Sequence, residues 1–306
     1  PTEATHGDMG LVKKEDIVLL ISNSGETDEI INRKATAVIN AGLKPVLIDI
    51  DKDKPTISLD KLKKKINKNT KVIMPVHLYG SVVDITKIKT IIKNKDIIII
   101  DDCSQAHGAI WNKKRVGSLA NISCFSLYPG KNLGAYGDAG IITTNNFNYY
   151  KKLKNFRNLG SDLKYSHTQI GFNSRLDTIQ ACILIEKLKN LDSYNDRRRQ
   201  IAKIYSQKIT NKKITKLKYS KGAVYHQFVI MVNKRDKLAK LFNKNHIQYG
   251  LHYPNSINNI ESLKKIFKKF KFINSENLAN KCFSLPIDPM LKKSEVKKII
   301  KILNFF

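Results

Sequence analysis

Short apolar runs alternate with amphipathic segments over the first half of the chain. The runs are rich in Ile and Val and predict buried strands at 17–21, 46–50, 72–76, 97–100, 123–127 and 140–143. Ser58 and Asp84 precede amphipathic segments and predict the starts of helices between strands. Repeated β–α units of this kind predict an α/β fold with a mostly parallel sheet and helices on both faces.

The pattern changes in the second half. Residues 175–209 have a long helical periodicity that is interrupted near 190–195. The elements predicted beyond Thr210 are a strand, a helix, a second strand and two helices, at 226–231, 234–245, 247–251, 260–270 and 293–303. We therefore predict a smaller α+β domain at 210–306, after a large domain that ends near residue 209.

Composition narrows the class of protein. The chain has 306 residues, of which 42% are apolar, as expected of a folded protein. No apolar run approaches the roughly 18 residues of a membrane helix, and no signal peptide is visible. The four cysteines are scattered, without the CxxC spacing of a zinc site, at 103, 124, 182 and 282. We expect a cytoplasmic protein with no disulfide, no metal and no membrane partner.

The net charge of +29 is the feature that suggests a nucleic-acid partner. Of the 55 basic residues, however, 47 are Lys and eight are Arg, and the chain also has 28 Asn. A joint surplus of Lys, Ile and Asn is typical of an AT-rich coding sequence. The lysines occur in helical runs such as 61–65 and 264–269, where they form solvated faces. We therefore expect no nucleic-acid partner.

Two adjacent carboxylates follow the most apolar strand. Ile97–Ile100 leads directly into Asp101 and Asp102. Open α/β sheets bind ligands at the C-terminal ends of their strands. A carboxylate that faces inward there needs a cationic partner or a protonated ring nitrogen. Helix capping by either aspartate is the alternative.

A glycine-rich turn presents a single lysine. The strand that ends near Ser126 continues into Tyr-Pro-Gly-Lys at 128–131, and four glycines within eleven residues allow the backbone to approach a ligand. Lys131 is a Schiff-base candidate, because desolvation in such a loop favours the neutral amine. A surface lysine is the alternative. Farther along, the Asn-Ser-Arg sequence at 173–175 opens the long helix and suits either a phosphate or a helix cap.

These blocks occur in the order found in one enzyme family. From about residue 35 to 306 the chain resembles the DegT/StrS-type sugar-nucleotide aminotransferases, which are pyridoxal 5'-phosphate (PLP) enzymes of fold type I. Further matching segments lie at 41–51, 75–80, 252–254 and 284–287. The segment around Lys131 is most similar to the branch that aminates 3-keto-6-deoxy sugars carried on dTDP. The resemblance implies a PLP-binding large domain at 31–209, incomplete at its N-terminus, and a small domain at 210–306.

The resemblance also implies roles for four residues at the cofactor. Lys131 matches the lysine that binds PLP covalently and later moves a proton during catalysis. Asp102 matches the carboxylate that keeps the pyridine nitrogen protonated, which makes the ring an electron sink. Gln105 matches the amide that bonds the ring hydroxyl, and Ser126 matches a ligand of the cofactor phosphate.

Further roles concern the substrate and the partner subunit. Asn173 matches the asparagine that reaches the phosphate from a neighbouring subunit, which implies a homodimer with shared active sites. The positions that line the sugar site in the family are held by His77, Tyr79, His252 and Tyr253. The implied reaction moves an amino group from an amino acid, with glutamate as the expected donor, to a keto-sugar nucleotide. The implied context is deoxysugar biosynthesis for lipopolysaccharide O-antigen.

The N-terminal segment departs from this pattern. Family members carry an earlier strand-turn-helix with a Gly-Thr pair for the phosphate, and an aromatic residue that stacks on the ring. The position of that aromatic residue, before Ala35, holds Arg33. Residues 1–30 instead resemble a fragment of a sugar-isomerase (SIS) fold, as in arabinose 5-phosphate isomerases. The positions that match its polar site are His6, Ser22, Ser24 and Glu26.

Three interpretations of this segment stay open. The chain is a chimera joined near 29–33, or it is a catalytically impaired transaminase, or the foreign segment substitutes structurally. In the third case 17–21 becomes a strand of the sheet, and the loop at 22–27 supplies amides for the phosphate. A stand-alone sugar-phosphate isomerase is the alternative function, although residues 1–30 are too few for the core of such a domain.

Overall fold

The computed structural model describes residues 17–20, 44–93, 96–267 and 269–306. The strands are β1 (Ile17–Leu20), β2 (Lys44–Pro45), β3 (Thr70–Met74), β4 (Ile98–Asp102), β5 (Ile110–Trp111), β6 (Lys114–Arg115), β7 (Ile122–Ser126), β8 (Gly140–Thr143), β9 (Ser161–Leu163), β10 (Ser166–His167), β11 (Ile214–Lys216), β12 (Phe228–Val232) and β13 (Cys282–Leu285). The helices are α1 (Leu59–Lys65), α2 (Ile85–Ile91), α3 (Phe147–Phe156), α4 (Thr178–Leu188), α5 (Leu191–Lys208), α6 (Arg235–Lys244), α7 (Glu261–Phe267), α8 (Ile273–Lys281) and α9 (Lys293–Phe305).

Six strands form the main sheet, in the order β2-β1-β3-β4-β7-β8. The first four neighbouring pairs are parallel, and β8 joins β7 in the antiparallel sense. Val72, Ile73 and Ile99 in the central strands are buried, as expected of a sheet that is covered on both faces. The predicted α/β fold with a mostly parallel sheet is confirmed.

Strand β1 belongs to this main sheet. It lies between β2 and β3, and its residues pair with β3 from Val18–Val72 to Leu20–Met74. This position agrees with the interpretation in which 17–21 supplies a strand of the aminotransferase sheet. The loop at 22–27, the isomerase-like positions (His6, Ser22, Ser24 and Glu26) and Arg33 lie outside the described residues.

A second sheet begins at Ile214, close to the predicted domain boundary at 210. It is antiparallel, in the order β11-β12-β13. Helices α5, α6 and α9 cover it with a shared apolar cluster that includes Tyr205, Phe228, Phe242 and Phe283. Within the described residues, no helix combines the length and the apolar character needed to cross a bilayer.

One part of the predicted small domain packs elsewhere. Ile260, just before α7, and Leu263, within it, share a buried cluster with Val72 and Ile122 of the main sheet. The chain therefore leaves the second sheet, covers the first and returns through α8 to β13. Hydrophobic periodicity indicates that such a helix has a buried face, but it does not indicate which sheet that face covers.

Two predicted strands are largely irregular. In the run 46–50, Leu47, Ile48 and Ile50 are buried, but only Ile50 forms a β-bridge. The side chain of Asp49 accepts hydrogen bonds from the backbone N–H of Asn274 and Ser275, so α8 rather than a neighbouring strand holds this run. The run 247–251 likewise pairs at one bridge, Gly250–Ser284.

Candidate active site

Strand β4 ends in two buried carboxylates that lie on opposite faces of the sheet, because side chains alternate along a strand. Oδ2 of Asp101 lies 3.3 Å from Nε2 of His77. Oδ1 of Asp102 accepts the backbone N–H of Ser104 at 2.9 Å. Between the strand ends, the backbone of Asp102 pairs with that of Val76. The sheet therefore gives the two aspartates different surroundings.

Asp101, His77 and Cys103 have possible ligand atoms within 4.8 Å of one another. The backbone N–H of Val83 donates to Nδ1 of His77, so Nε2 carries the ring proton and donates to Asp101. A metal would need the lone pair of that nitrogen. Burial and the charge of Asp101 raise the pKa of the Cys103 thiol, which therefore stays protonated. We interpret the group as a buried hydrogen-bonded pair beside a thiol.

This geometry changes the expectation for His77. Its side chain is fully buried, and both ring nitrogens have protein partners. The prediction that His77 lines the sugar site is therefore not supported. The ring instead ties the end of β4 to the turn that follows β3.

Gln105 joins the end of the main sheet to the loop before α7. Its Oε1 accepts the backbone N–H of Tyr79 at 2.5 Å, and its Nε2 donates to the hydroxyl of Tyr253 at 3.0 Å. The hydroxyl of Tyr79 donates to the backbone oxygen of His252 at 2.6 Å. The structure thus brings together three of the four predicted substrate residues. Tyr79 is fully buried, so we expect it to support the segment of His252 and Tyr253 rather than to contact a sugar directly.

Lys131 lies half-buried in the turn that follows β7. Its backbone N–H donates to the backbone oxygen of Tyr128 at 2.9 Å. The backbone N–H of Tyr128 in turn donates to the hydroxyl of Ser126 at 3.4 Å. A Cβ on Gly134 would lie 2.4 Å from the backbone oxygen of Pro129, so the turn closes only around a glycine. Ser126 and Lys131 are therefore held at the two ends of one tight turn.

Three histidines experience the charge of Lys131. Burial and the nearby Lys131 ammonium lower the pKa of His107 to about 4, against smaller opposing effects of the Ser126 carbonyl and the Asp102 carboxylate. Burial, followed by Lys131, also lowers the pKa of His226 and His252. These rings are consequently neutral at neutral pH. Asp102 pairs with Cys124 of β7, and Lys131 lies in the turn that follows β7, so the carboxylate and the amine lie at the same end of the sheet.

The donor set fits PLP. A primary amine is present for the cofactor aldehyde, a buried carboxylate for the pyridine nitrogen, and an amide and a hydroxyl for polar substituents. Within the described structure, the buried Nδ1 of His107 has no hydrogen-bond partner. It is therefore a buried polar atom that a bound group could satisfy. The residues that would hold the cofactor are Asp102, Gln105, Ser126 and Lys131.

Asn173 is exposed, and its polar contacts join it to Arg175 and Asn158 rather than to the proposed cofactor residues. Its side-chain oxygen accepts Nε–H of Arg175 at 3.2 Å, and its backbone forms a β-bridge with Asn158. Apolar side chains in the same region are also exposed, including Tyr165 at 85% and Ile170 at 88%. A single chain thus presents Asn173 on its surface.

Sequence reasoning assigned no role to several polar residues near Lys131. These are His107, Asn132, Asn195 and His226, which are joined by side-chain hydrogen bonds. The available signal was weak: each is a polar residue next to apolar ones, as in Ala-Val-Tyr-His-Gln-Phe at 223–228.

Comparison with known proteins assigns the family. The DegT/DnrJ/EryC1/StrS aminotransferase family model matches residues 17–304 and so includes β1. The resemblance of residues 1–30 to an isomerase fragment finds no support, since this match begins inside that segment. A curated relative from Aneurinibacillus thermoaerophilus, dTDP-3-amino-3,6-dideoxy-alpha-D-galactopyranose transaminase, is 39% identical over 88% of this chain and 74% of its own length.

Solved structures give the same result. DesV of S. venezuelae, solved in complex with a ketimine intermediate, superposes with a TM-score of 0.91 at 29% identity, covering 99% of this chain and 81% of DesV. NtdA of Bacillus subtilis, with bound cofactor PMP, gives 0.86 at 27% identity, covering 99% and 70%. The predicted enzyme class and the predicted cofactor, PLP, are confirmed. The chain belongs to the DegT/DnrJ/EryC1/StrS aminotransferase family.

Proposed function

We propose that this chain transfers an amino group from glutamate to a dTDP-linked 3-keto-6-deoxyhexose. The observation that carries the proposal is that Asp102, paired with Cys124 of β7, and Lys131, in the turn after β7, lie at the same end of the main sheet. The similarity to a dTDP-amino-sugar transaminase supports the choice of substrate. The basic surface, with a net charge of +29, suits a sugar diphosphate.

The residues divide the chemistry between them. Bound PLP supplies an electron sink and carries the amino group between donor and acceptor. The Lys131 amine would hold the cofactor and would move a proton at the reacting carbon. The buried Asp102 carboxylate would hold a proton on the ring nitrogen, since a cation there compensates its burial. Gln105 would bond the ring hydroxyl and Ser126 a phosphate oxygen.

His252 and Tyr253 are the proposed sugar contacts. Both are half-buried, and Tyr79 and Gln105 fix them by the two bonds to the His252 carbonyl and the Tyr253 hydroxyl. Nδ1 of His252 bonds the hydroxyl of Ser284 at 2.8 Å, so the neutral ring can offer Nε2 to a sugar hydroxyl without adding a charge.

The active unit is proposed to be a homodimer. Asn173 is exposed in one chain, and exposed apolar residues around it would be covered by a second copy, as at Leu159, Leu163, Tyr165 and Ile170. In this arrangement Asn173 of each chain reaches the phosphate held by the other. We also propose that the enzyme acts in the cytoplasm, where nucleotide sugars are made.

The test of substrate is a transamination assay. Purified protein with PLP and glutamate is given a 3-keto-6-deoxyhexose on dTDP or a keto-hexose on UDP, and 2-oxoglutarate is measured. The proposal predicts turnover with the dTDP compound and loss of turnover in Lys131→Ala. Lys151→Ala, which removes an exposed lysine from α3, is the matched control and keeps its activity. Preferred turnover of the UDP compound rejects the substrate, and cofactor binding without turnover of either indicates the impaired alternative.

A further inference from the structure

The residue that follows Lys131 turns its side chain into a polar cluster. Nδ2 of Asn132 donates to Oδ1 of Asn195 at 2.9 Å and to the backbone oxygen of Val224 at 3.2 Å. Oδ1 of Asn132 accepts a hydrogen bond from Nδ1 of His226 at 3.1 Å. Both amide hydrogens and the amide oxygen are thereby used.

Asn195 extends the cluster to the far side of the site. It is fully buried in α5, and its Nδ2 donates to the backbone oxygen of His107 at 2.9 Å. The ring of His107 in turn bonds the backbone oxygen of Ser126 at 2.8 Å. The lysine turn is therefore tied to the loop after β4, to helix α5 and to the segment before β12.

The backbone carbonyls of His107 and Val224 determine which groups donate and which accept in this cluster. A carbonyl only accepts, so His107 and Val224 orient the amides of Asn195 and Asn132 respectively. Oδ1 of Asn132 must then face His226, whose Nδ1 carries the ring proton and whose Nε2 keeps its lone pair. Burial and the charge of Lys131 lower the pKa of His226, which agrees with a neutral ring.

We propose that Asn132 is a positioning residue for Lys131, and that it acts by holding the lysine turn against Asn195 and by fixing His226 as its Nδ1–H tautomer. The imidazole of His226 is then held uncharged and in one orientation beside the lysine turn. Loss of this arrangement lets the turn shift and lets His226 rotate or change tautomer. The proposal rests on Lys131 being the lysine that binds the cofactor.

Two substitutions of His226 distinguish the role of its Nδ1 from that of its Nε2. The amide of His226→Asn lies where Nδ1 lies and can still donate to Asn132, whereas the longer His226→Gln reaches the position of Nε2 and loses that bond. Asn132→Leu removes all three bonds at similar size. Asn211→Leu is the matched control, because Asn211 also makes side-chain bonds to the backbone, at Leu303 and Lys213, but does so beside the second sheet.

The measured quantity is the rate at which PLP is fixed on Lys131, followed by absorbance and by borohydride reduction with peptide mass analysis. We expect a loss of about tenfold or more in His226→Gln and Asn132→Leu, since small misplacements of a reacting group have effects of this size. His226→Asn and Asn211→Leu keep the rate within about threefold, although Asn211→Leu lowers the Tm of the cofactor-free protein.

Equal losses in His226→Asn and His226→Gln overturn the proposal, as does a wild-type fixation rate in Asn132→Leu. If Asn132→Leu fails to fold, the two His226 variants decide alone. Failure of the proposed function looks different, because the unaltered protein then carries no fixed cofactor on Lys131.

Discussion

Asp101 and Asp102 are adjacent in the sequence, yet their carboxylates lie on opposite faces of the main sheet. Asp101 pairs with the fully buried His77, whereas Asp102 acts on His107, which also experiences the charge of Lys131. We therefore assign Asp101 to the packing of the sheet and propose Asp102 for the reactive site.

This division predicts opposite outcomes for two matched substitutions. Asp102→Asn removes the charge proposed to hold the ring proton, so kcat is expected to fall by about a hundredfold or more. Asp101→Asn leaves a neutral acceptor for His77 and lowers stability by about 1 kcal/mol, with kcat nearly unchanged. Steady-state kinetics and denaturant unfolding of both variants check this. A large kcat loss in Asp101→Asn at unchanged stability would contradict the division.

The Tyr253 hydroxyl accepts a hydrogen bond from Gln105 and is expected to orient Tyr253 toward the sugar. Tyr253→Phe removes one hydrogen bond, worth about 1 kcal/mol, so KM for the sugar nucleotide rises about fivefold. The KM for glutamate, measured in the same assay, changes little. Tyr249→Phe, in the core around Phe283, is the control. A rise in both KM values would assign Tyr253 a general structural role instead.

Acid sensitivity follows from the buried neutral histidine. The folded pKa of His107 is about 4 and its ordinary value is 6.5, so the unfolded chain binds a proton more readily between these values. This group leaves stability unaffected above pH 6.5. As the pH falls toward 4, it removes about 1.4 kcal/mol per pH unit, or about 3 kcal/mol in total.

The variant His107→Gln retains a donor for the Ser126 carbonyl but does not titrate. Urea midpoints measured at pH 7 and pH 4.5 should therefore fall less in His107→Gln than in the unaltered protein. Parallel pH dependence in the two proteins would place the acid-sensitive group elsewhere.

Shared active sites can be tested by mixing two inactive variants. Lys131→Ala and Asn173→Ala each lack one component of the proposed site. If Asn173 acts on the other subunit, a mixed dimer contains one complete site, and mixing with subunit exchange restores part of the activity. No restoration in verified mixed dimers would place Asn173 at its own chain's site.

The dimer surface has its own test. Ile170→Asp adds a charge to a residue that is 88% exposed in one chain, and we expect monomers in light scattering together with lost activity. Ile273→Asp, at a residue that is 72% exposed at the start of α8, is the matched control and stays dimeric. Dissociation by both substitutions, or by neither, would argue against this surface.

Much of the main sheet could be predicted from the sequence. The runs 72–76 and 97–100 are apolar because both faces of those strands are buried, and such runs are visible without a structure. The run 46–50 shows the limit. Its residues are also largely apolar, but the run is held by hydrogen bonds from α8 to the Asp49 side chain. A buried segment has the same apolar composition whether or not it pairs with a neighbouring strand.

Site residues could be predicted from the sequence only where the residues that position them are close to them in the chain. Lys131, Ser126 and the glycines around them are close in sequence, as are Asp102 and Gln105. Asn195 and His226 are far from Lys131 in the chain and are brought to it by α5 and by the segment before β12. The buried pairing of His77 with Asp101 could not be predicted for a related reason, because the two residues lie 24 positions apart in the chain.

The central claim is that Lys131 binds PLP in the site it shares with Asp102. The most direct measurement is borohydride reduction of the PLP-treated protein, followed by mass analysis of its peptides. The claim predicts a fixed cofactor on the peptide containing Lys131 in the unaltered protein and in Lys151→Ala, and none in Lys131→Ala. A protein that fixes no cofactor, or one that fixes it equally well in Lys131→Ala, would contradict the claim.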